Sequence, residues 1–518
     1  MTASPAPSRW RHRAAALAAI AVFLWLVARF WHPVYGFTAF FQLDAPNDDL
    51  KIAAFRALPV FVHRDTGGYD GLYYAQLAHD PTLRDPELPR AMDNFAYRAR
   101  RILPAAVAWL LGLGRGAWII HTYSLLNVAA WLALAGVLWR LLDVRDGRAW
   151  LAWAGVLFSA GALSCVRLAL TDLVALAILA AAFLAAGLAR PRRAAGLLAA
   201  AGLARETSLL ALTGLWERPW FGRHNLLRAV AVAAPLAAWL AYVRWRVGPA
   251  DAGWANFTLP VAGLAEKWGA AIDAVRTVDD RPLAWTTLLA TAGLTAQAAF
   301  FLIRWHPGDR WWRLGIAYAV MMFCLGTAVW EGFPGAATRV LLPLNLAFNV
   351  FVVRTRAPLA WLLAGNLTVG AGLLALRDIP ADPRELAAVR SGDVAAILQL
   401  GDGWHGVERR RGQRWAWCSG RGQLSFATWS GQPRSFRLDF ALRSLTPRTV
   451  VLRQAGHELW RAGVGTSTTR HSVIVPLTAG RTTVEFASDT PPVRESAVPG
   501  ARDLAFALYM PRLTVPEP

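Results

Sequence analysis

The residues of this chain best suited to chemistry lie in one polar stretch, 37–102, which carries nine acidic side chains among aromatic residues and arginines. Long loops without a repeat are functional more often than they are spacers. Within this loop, a turn with glycines close to Asp70 runs into a short amphipathic helix that ends near residue 78. A carboxylate there, with Tyr73 and Tyr74 one turn further on, suits proton transfer or binding of a polar ligand. Spacing alone leaves a simple helix N-cap open as the alternative.

Three more ionisable residues fall within apolar stretches, where a charge is costly and usually faces a cavity or a partner. Arg205 and Glu206 are adjacent in the stretch 194–216. Neighbouring helical residues point about 100° apart, so we expect each of them to have its own partner. Asp172 stands at the start of the stretch 168–189. The structural alternatives are bending of a re-entrant helix by Arg205 and Glu206, and helix capping by Asp172.

Composition identifies the elements that must position these residues as membrane helices. The chain is 55% hydrophobic and only 17% charged, and its apolar residues form long runs that a water-soluble fold could not cover. Its formal charge of +20 comes from arginine, with only Lys51 and Lys267 as lysines, and arginines at membrane borders orient helices rather than bind nucleic acid. The three cysteines are far apart, which argues against a disulfide framework or a zinc site.

Hydropathy predicts a first span over residues 14–31, directly after Arg9, Arg11 and Arg13. Several of the later runs are shorter than the roughly 20 residues of a perpendicular span, so we expect tilted, broken or re-entrant helices. These runs cover residues 116–141, 149–166, 168–189, 229–246, 284–304, 313–330, 338–353 and 357–376, with shorter pieces at 102–113 and 194–216.

Arginine clusters occupy alternate connections between these runs, which predicts that those connections are cytoplasmic. This assignment requires that 194–216 dips into the membrane and returns, and that 102–113 lies in or on the outer leaflet. It places four segments on the extracytoplasmic side, namely 37–102, 246–283, 331–339 and everything after about residue 377.

The last part of the chain changes character. Residues 377–403 are polar and contain proline and glycine, which predicts a linker. Short runs with period-two alternation follow, which indicates an antiparallel β-sandwich over 404–518. The predicted fold is therefore an α-helical polytopic membrane protein, with a multi-span domain over 1–376 and a C-terminal extracytoplasmic β-sandwich domain. Tryptophans of the sandwich are expected in its core, with glycan stacking by Trp404, Trp415, Trp417 and Trp460 as the alternative.

Four short motifs occur in an order that resembles the GT-C glycosyltransferases, membrane enzymes that take a sugar from a polyprenyl-phosphate carrier. Residues 70–78 (DGLYYAQLA) resemble the acidic-aromatic element that follows the first span in this family. Residues 97–104 (YRARRILP), 202–208 (GLARETS) and 338–343 (TRVLLP) are similar to later elements. The resemblance covers roughly residues 10–376. Each motif is short, so the resemblance depends on their order and topology.

The resemblance implies a specific reaction and specific residue roles. The enzyme would transfer a sugar from a polyprenyl-phosphate donor to an extracytoplasmic glycan, lipid or protein acceptor in a bacterial inner membrane, with inversion at the anomeric carbon. Asp70 would act as general base, and Arg98, Arg101 and Arg339 would bind the phosphate. The remaining candidates for substrate binding are Tyr73, Tyr74, Asp172, Arg205 and Glu206. The structural alternatives are solvated arginines at positions 98 and 101, which are expected on one helical face, and an interfacial arginine at position 339.

Two features separate this chain from a simple match. The second acidic residue that many family members have beside the first is Gly71 here, so a paired carboxylate is not expected. Asp44, Asp48 and Asp49 leave a divalent cation open, but they lack metal-site spacing and a solvated acidic turn is the favoured interpretation. We therefore assign no metal ligands and keep a bound divalent cation as the alternative.

Two other classes of function compete with the transferase. A transporter or flippase of lipid-linked sugars would also use membrane arginines and broken helices, and it predicts charged residues along a path to the cytoplasm. A non-catalytic scaffold for polysaccharide assembly would carry its function in the β domain. No motif of a hydrolase, zinc protease or nucleotide-driven pump is present.

Overall fold

The structure is a computed structural model that describes residues 9–45, 51–64, 67–249, 253–430, 432–498 and 500–516. The chain divides into two compact units. The helical unit comprises Met1–Phe30, Phe37–Arg56 and Asp65–Ile379, and the β unit comprises Trp31–Gly36, Ala57–Arg64 and Pro380–Pro518.

The helical unit contains α-helices of very different lengths, joined by short turns and 3-10 segments. Its helices are α1 (Arg9–Ala28), α2 (Ala53–Arg56), α3 (Gly71–Leu77), α4 (Phe95–Ala99), α5 (Ile102–Leu111), α6 (Gly116–Leu142), α7 (Gly147–Leu157), α8 (Ala160–Arg167), α9 (Asp172–Gly187), α10 (Pro191–Ala204), α11 (Leu212–Leu215), α12 (Arg223–Val247), α13 (Ala262–Thr277), α14 (Arg281–Ile303), α15 (Arg310–Cys324), α16 (Thr327–Trp330), α17 (Ala337–Val340), α18 (Leu342–Arg354), α19 (Leu359–Gly365) and α20 (Val369–Ala375). Short 3-10 helices cover Thr38–Phe41, Glu206–Ala211 and Trp254–Asn256.

Four of the described helices are long and apolar enough to cross a membrane, namely α1, α6, α12 and α14. The number becomes five if α7 and α8, which bend by 40° at their junction, form one span. These helices coincide with runs predicted from hydropathy and are compatible with a membrane protein. The runs predicted at 168–189 and 338–353 form the shorter apolar helices α9 and α18.

Several predicted runs are broken within the helical unit, and the breaks in 149–166 and 194–216 have a local cause. In the run 149–166, Ser159 ends the continuity because its side chain accepts a hydrogen bond from Ala162 N at 3.4 Å and caps α8. In the run 194–216, α10 stops at Arg205, whose backbone is extended (φ −156°, ψ 121°).

The β unit has two large antiparallel sheets that share one core, and a separate two-stranded sheet, β11-β12. Of the large sheets, one has the strand order β1-β2-β5-β10-β7-β8 and the other β3-β4-β13-β6-β9. The strands are β1 (Glu385–Ser391), β2 (Val394–Leu400), β3 (Glu408–Arg410), β4 (Gln413–Cys418), β5 (Arg421–Trp429), β6 (Arg434–Ser444), β7 (Arg448–Gln454), β8 (His457–Val464), β9 (Thr469–Leu477), β10 (Gly480–Ser488), β11 (Val493–Arg494), β12 (Asp503–Leu504) and β13 (Phe506–Thr514). In β6, alternate residues from Phe436 to Leu442 are buried in the common core with residues of the other sheet, as the period-two pattern predicts.

The linker predicted at 377–403 is wrong over most of its length, because it contains the hairpin β1–β2. The two strands pair from Ser391 opposite Val394, so only Gly392 and Asp393 form the turn. All seven residues of β2 are buried, which removes the alternation by which a half-exposed strand is recognised in a sequence. The β region therefore begins before the predicted boundary at residue 404.

The β unit also takes two segments from the N-terminal part of the chain. His32 Nε2 lies 2.9 Å from Glu385 Oε1, and the ring of Tyr35 packs edge-on against Trp429 at 6.0 Å. In the second segment, Arg64 Nε is 3.5 Å from Asp382 Oδ2. Part of the loop predicted at 37–102 thus belongs to the β unit.

All four sandwich tryptophans lie in or against hydrophobic core clusters, as expected. Trp404 packs against two core phenylalanines and donates its indole N–H to Gln423 O at 2.9 Å. Trp417 is buried, and Trp460 packs against Phe440 at 5.2 Å. Trp415 is half-buried beside Tyr509.

Candidate active site

Asp70 precedes α3 at the N-cap position, yet its side chain makes no capping hydrogen bond. Its carboxylate instead faces two arginines: Oδ2 lies 2.9 Å from Arg98 Nη1 and 3.2 Å from Arg339 Nη2. The simple helix cap that the sequence left open is therefore wrong, because both contacts of the carboxylate lead away from its own helix.

Asp172 is the second carboxylate of the cluster, and its side chain is almost completely buried. Its Oδ1 lies 2.6 Å from Arg205 Nη1, and its Oδ2 lies 3.2 Å from Arg339 Nη1. Arg339 thus bridges Asp70 and Asp172 with the two prongs of one guanidinium group. The planar fork of arginine makes this double contact feasible.

Side chains of α6 fix the backbone that delivers Asp172 to the cluster. Asn127 Nδ2 donates to Leu170 O at 2.8 Å, and Tyr123 Oη donates to Ala169 O at 3.1 Å. These bonds satisfy carbonyl groups in a buried turn between α8 and α9, which would otherwise carry a desolvation cost.

Close packing against α8 brings Arg339 to the same place. A Cβ atom on Gly161 would overlap Thr338 O and would lie 2.9 Å from Arg339 Cα. Only glycine therefore allows the backbone of α17 to approach α8 this closely.

Arg98 contacts two carboxylates and an aromatic ring. Its Nε and Nη2 donate to Asp93 Oδ1 and Oδ2 at 3.0 and 2.6 Å, which leaves Nη1 for Asp70. The guanidinium carbon lies 5.0 Å from the ring centre of Tyr73, within cation–π range.

Arg101 forms a parallel cluster with Glu206. Its Nε and Nη2 donate to Glu206 Oε2 and Oε1 at 3.0 and 2.8 Å, while Nη1 donates to Tyr74 Oη and Nη2 to Tyr97 Oη. As expected, Arg205 and Glu206 have different partners. The prediction that the arginines at 98 and 101 share a helical face is wrong, because α4 ends at Ala99. Both are buried rather than solvated.

All nine predicted site residues are therefore brought together. Four carboxylates face four guanidinium groups, a balance that lets the charges be buried. The carboxylates belong to Asp70, Asp93, Asp172 and Glu206, and the guanidinium groups to Arg98, Arg101, Arg205 and Arg339.

A cavity of about 280 Å³ adjoins this cluster. Its polar wall contains Asp70, Glu206 and the four paired arginines, with Arg100 as an additional cation. Its apolar wall comes from Phe257, Met321, Leu325, Val329 and Val340. The cavity is small for a whole lipid but has the mixed lining of a site that binds a polar headgroup.

Sequence reasoning did not select several residues of this cavity. Asp93 and Tyr97 contact the site arginines, and Asn256, Phe257 and Met321 line the opposite wall. Asp93 and Tyr97 lie beside or within the motif at residues 97–104, so their position in the sequence could have identified them as candidate site residues. The other three lie in segments that only the folded chain brings near Asp70.

Among the described residues, three buried guanidinium nitrogens at the cavity have no hydrogen-bond acceptor. They are Nε and Nη1 of Arg205 and Nε of Arg339, although Arg205 Nη1 forms the ion pair with Asp172. Unsatisfied buried donors are uncommon in native proteins, and they point to an acceptor that the protein itself does not provide.

The charge state of Asp70 follows from two opposing effects. Burial raises the pKa of this carboxyl, but the nearby guanidinium groups of Arg339 and Arg98 lower it more, so the pKa lies below its ordinary value of 3.8. For Arg98, burial lowers the pKa, but the hydrogen bond to Asp93 and the charge of Asp70 raise it above its ordinary value. Both groups are therefore charged at neutral pH.

The absence of a second acidic residue at position 71 has a steric explanation. A Cβ atom at this position would overlap Leu168 O and lie 3.3 Å from Phe41 O, both of which are backbone atoms. The backbone that precedes Asp172 therefore occupies the space that a side chain at position 71 would need.

We expect Gly71→Asp, which restores the acidic pair, to destabilise the helical unit by about 1–3 kcal/mol through overpacking. Gly71→Ala should do the same without adding charge. Gly67→Ala is the matched control, because a Cβ there meets nothing within 4 Å. Thermal unfolding of the purified proteins measures the effect, and equal stability of the position-71 and position-67 variants would contradict it.

The described residues contain no group of three or more His, Cys, Asp or Glu side chains placed to hold a metal ion. Asp48 and Asp49 of the predicted acidic turn lie outside the described residues.

Comparison with known proteins gives no family for this chain. No family model and no curated protein matches it. Solved structures that match include mutants of the carbohydrate-binding module CBM29-2. The match to one of these mutants covers 23% of this chain and 91% of the module, at 12% sequence identity. The match to another, complexed with cellulohexaose, covers 23% of this chain and 92% of the module, at 13% sequence identity. Both matches have a TM-score of 0.15. Scores this low indicate neither a shared fold nor a shared ligand.

Proposed function

We propose that this protein is a GT-C-type glycosyltransferase of a bacterial inner membrane, with its β domain on the extracytoplasmic side. It would move a sugar from a polyprenyl-phosphate donor to an external glycan, lipid or protein acceptor. One observation supports this most: Arg98 and Arg339 meet on the carboxylate of Asp70 at the wall of a small cavity. Such a site combines a proton acceptor with fixed positive charge for a phosphate.

In the proposed reaction, the acceptor hydroxyl attacks the anomeric carbon while the bond from that carbon to the phosphate oxygen breaks. The electron pair of the broken bond leaves with the polyprenyl phosphate, and the hydroxyl proton passes to Asp70. One displacement inverts the anomeric centre. Arg98 and Arg339 stabilise the negative charge that develops on the departing phosphate.

The arginines also affect how well Asp70 accepts a proton. Their positive charges lower its pKa, which makes the carboxylate a weak base. A donor phosphate adds negative charge beside the same guanidinium groups and offsets their effect on Asp70. The pKa of Asp70 then rises towards the range useful for proton transfer.

The remaining contacts of the cluster have positioning roles in this proposal. Asp172 holds Arg339 and Arg205 in place, while Glu206 and Tyr74 do the same for Arg101. The unsatisfied Nε groups of Arg205 and Arg339 would donate to phosphate oxygens. The apolar wall around Phe257 and Met321 suits the first isoprene unit of the carrier.

Release of polyprenyl phosphate tests the proposal directly. Purified full-length protein is incubated with a panel of radiolabelled polyprenyl-phosphate sugars and an envelope extract as the source of acceptor. We expect at least one donor to lose its sugar and to yield free polyprenyl phosphate. A transporter would relocate donors between vesicle leaflets without this product, and no release from any donor by folded protein would refute the transferase.

A further inference from the structure

Two further cavities, an apolar groove and a basic pocket, adjoin each other beside α15, and the groove extends along this helix from Arg313 to Val320. The groove has a volume of about 1600 Å³ and is lined by side chains that include Leu210, Leu212, Trp216, Trp220, Phe221 and Ile316. Its volume exceeds that of sites for ordinary small molecules. Phe221 is 90% exposed, although a large aromatic side chain is costly to leave in water.

A basic pocket of about 400 Å³ adjoins this groove, and the two cavities share Trp216 and Arg313 in their walls. Three arginines line the pocket, Arg228, Arg310 and Arg313, with Glu217 as the one carboxylate in its lining. The pocket therefore has an excess of positive charge.

The three arginines differ in what already binds them. Arg313 donates to five backbone carbonyl groups, which fixes its position without neutralising its charge. Arg228 has a distant contact with Glu217, 3.4 Å from Nη2 to Oε1. Arg310 makes no hydrogen bond or ion pair with any described residue. An anion in this pocket would therefore meet one uncommitted guanidinium group and two that are held in place.

The position of the pocket distinguishes it from the candidate active site. It is lined by the first turns of α10 and α15, whereas Arg205, Met321 and Leu325 of the active-site cavity lie at the C-terminal ends of these helices. Helices of 14 and 15 residues separate the two places by about 20 Å. A sugar donor with its phosphate in the basic pocket would hold its sugar too far from Asp70 to react.

We propose that the groove and the basic pocket together bind one anionic phospholipid, with the headgroup phosphate at Arg310 and the acyl chains along Trp220 and Phe221. The combination of an apolar groove with an adjoining excess of positive charge matches the two parts of such a lipid. The arginine distribution predicts that this end of the helices faces the cytoplasmic leaflet, where anionic lipids are found. The proposal requires membrane insertion but is independent of sugar transfer.

Native mass spectrometry of the purified full-length protein tests the site. Phosphatidylglycerol and phosphatidylethanolamine with identical acyl chains are added at equal concentration. We expect preferential retention of phosphatidylglycerol, and Arg310→Gln should lower it about tenfold, the effect of losing one charge-assisted hydrogen bond. Arg304→Gln is the matched control, because this exposed arginine lies nearby in the sequence but outside both cavities.

Each alternative occupant gives a distinct result. Equal retention of the two lipids by the unaltered protein overturns the proposal, whatever the variants do. Inorganic phosphate and short-chain phosphatidylglycerol are then tested as competitors. If either competes as effectively as the long-chain lipid, the groove binds no acyl chain. Stronger displacement by a polyprenyl monophosphate would assign the site to the carrier lipid. Because no transfer is measured, failure of the proposed transferase leaves these outcomes unaffected.

Discussion

Asp70→Asn should reduce sugar transfer by about 10²–10⁴-fold, the range for loss of a general base. Asparagine has nearly the same shape as aspartate but cannot accept the hydroxyl proton. It also removes the negative charge that Arg98 and Arg339 share. The measurement is the rate of polyprenyl-phosphate release at saturating donor, compared with the unaltered protein.

The contacts of the two arginines indicate that this variant will fold. Arg98 keeps its two hydrogen bonds to Asp93, and Arg339 keeps Asp172. Each buried guanidinium group therefore retains one carboxylate partner, which avoids the 3–5 kcal/mol cost of an uncompensated buried charge. Thermal unfolding should confirm that the helical unit remains intact.

Asp93→Asn is the matched control for the role of Asp70. Both carboxylates pair with Arg98, but Asp70 lines the cavity and Asp93 is absent from its lining. If Asp70 only held Arg98 in position, the two substitutions would have similar effects. We expect Asp93→Asn to reduce transfer by no more than about tenfold. Equal losses in the two variants would remove Asp70 from the proton-transfer step.

The sequence was most informative where a residue type conflicted with its surroundings. Arg205 and Glu206 stood in an apolar stretch, and the cost of burying a charge there predicted a separate partner for each. The identity of those partners could not be predicted. Arg101 and Glu206 are 105 residues apart, and Asp172 and Arg339 are 167 apart, so their contacts depend on how the helices pack.

Predictions from local sequence patterns were wrong where tertiary packing, rather than the local pattern, determines the structure. The strand β2 is buried on both faces and lacks the alternation that revealed β6 and β9. Residues 31–36 and 57–64 join the β unit through contacts such as His32 with Glu385, which are 353 residues apart. Gly71 read as a departure from a motif, whereas the backbone of Leu168 shows that any side chain there would collide.

Arg339→Lys should reduce transfer by about 10²–10³-fold although it conserves the charge. Arg339 reaches Asp172 with Nη1 and Asp70 with Nη2, each at 3.2 Å. A single lysine ammonium group cannot reproduce this planar fork, and the substitution also removes the unsatisfied Nε donor. We therefore expect kcat/KM to fall because a phosphate contact that strengthens in the transition state is lost.

Arg205→Lys tests how much of this loss comes from the contact of Arg339 with Asp70, because both substitutions remove an unsatisfied Nε donor at the cavity. Both arginines are buried and both pair with Asp172, so either substitution loosens that carboxylate, but only Arg339 also contacts Asp70. We expect about a tenfold loss of kcat/KM for Arg205→Lys and a comparable drop in melting temperature for the two variants. If transfer falls equally in both, the effect comes from what the two arginines share, their pairing with Asp172 and their Nε donors, and the contact of Arg339 with Asp70 has no part in it. If Arg339 acts by bridging Asp70 and Asp172, then kcat/KM should fall at least tenfold further for Arg339→Lys than for Arg205→Lys, at matched stability.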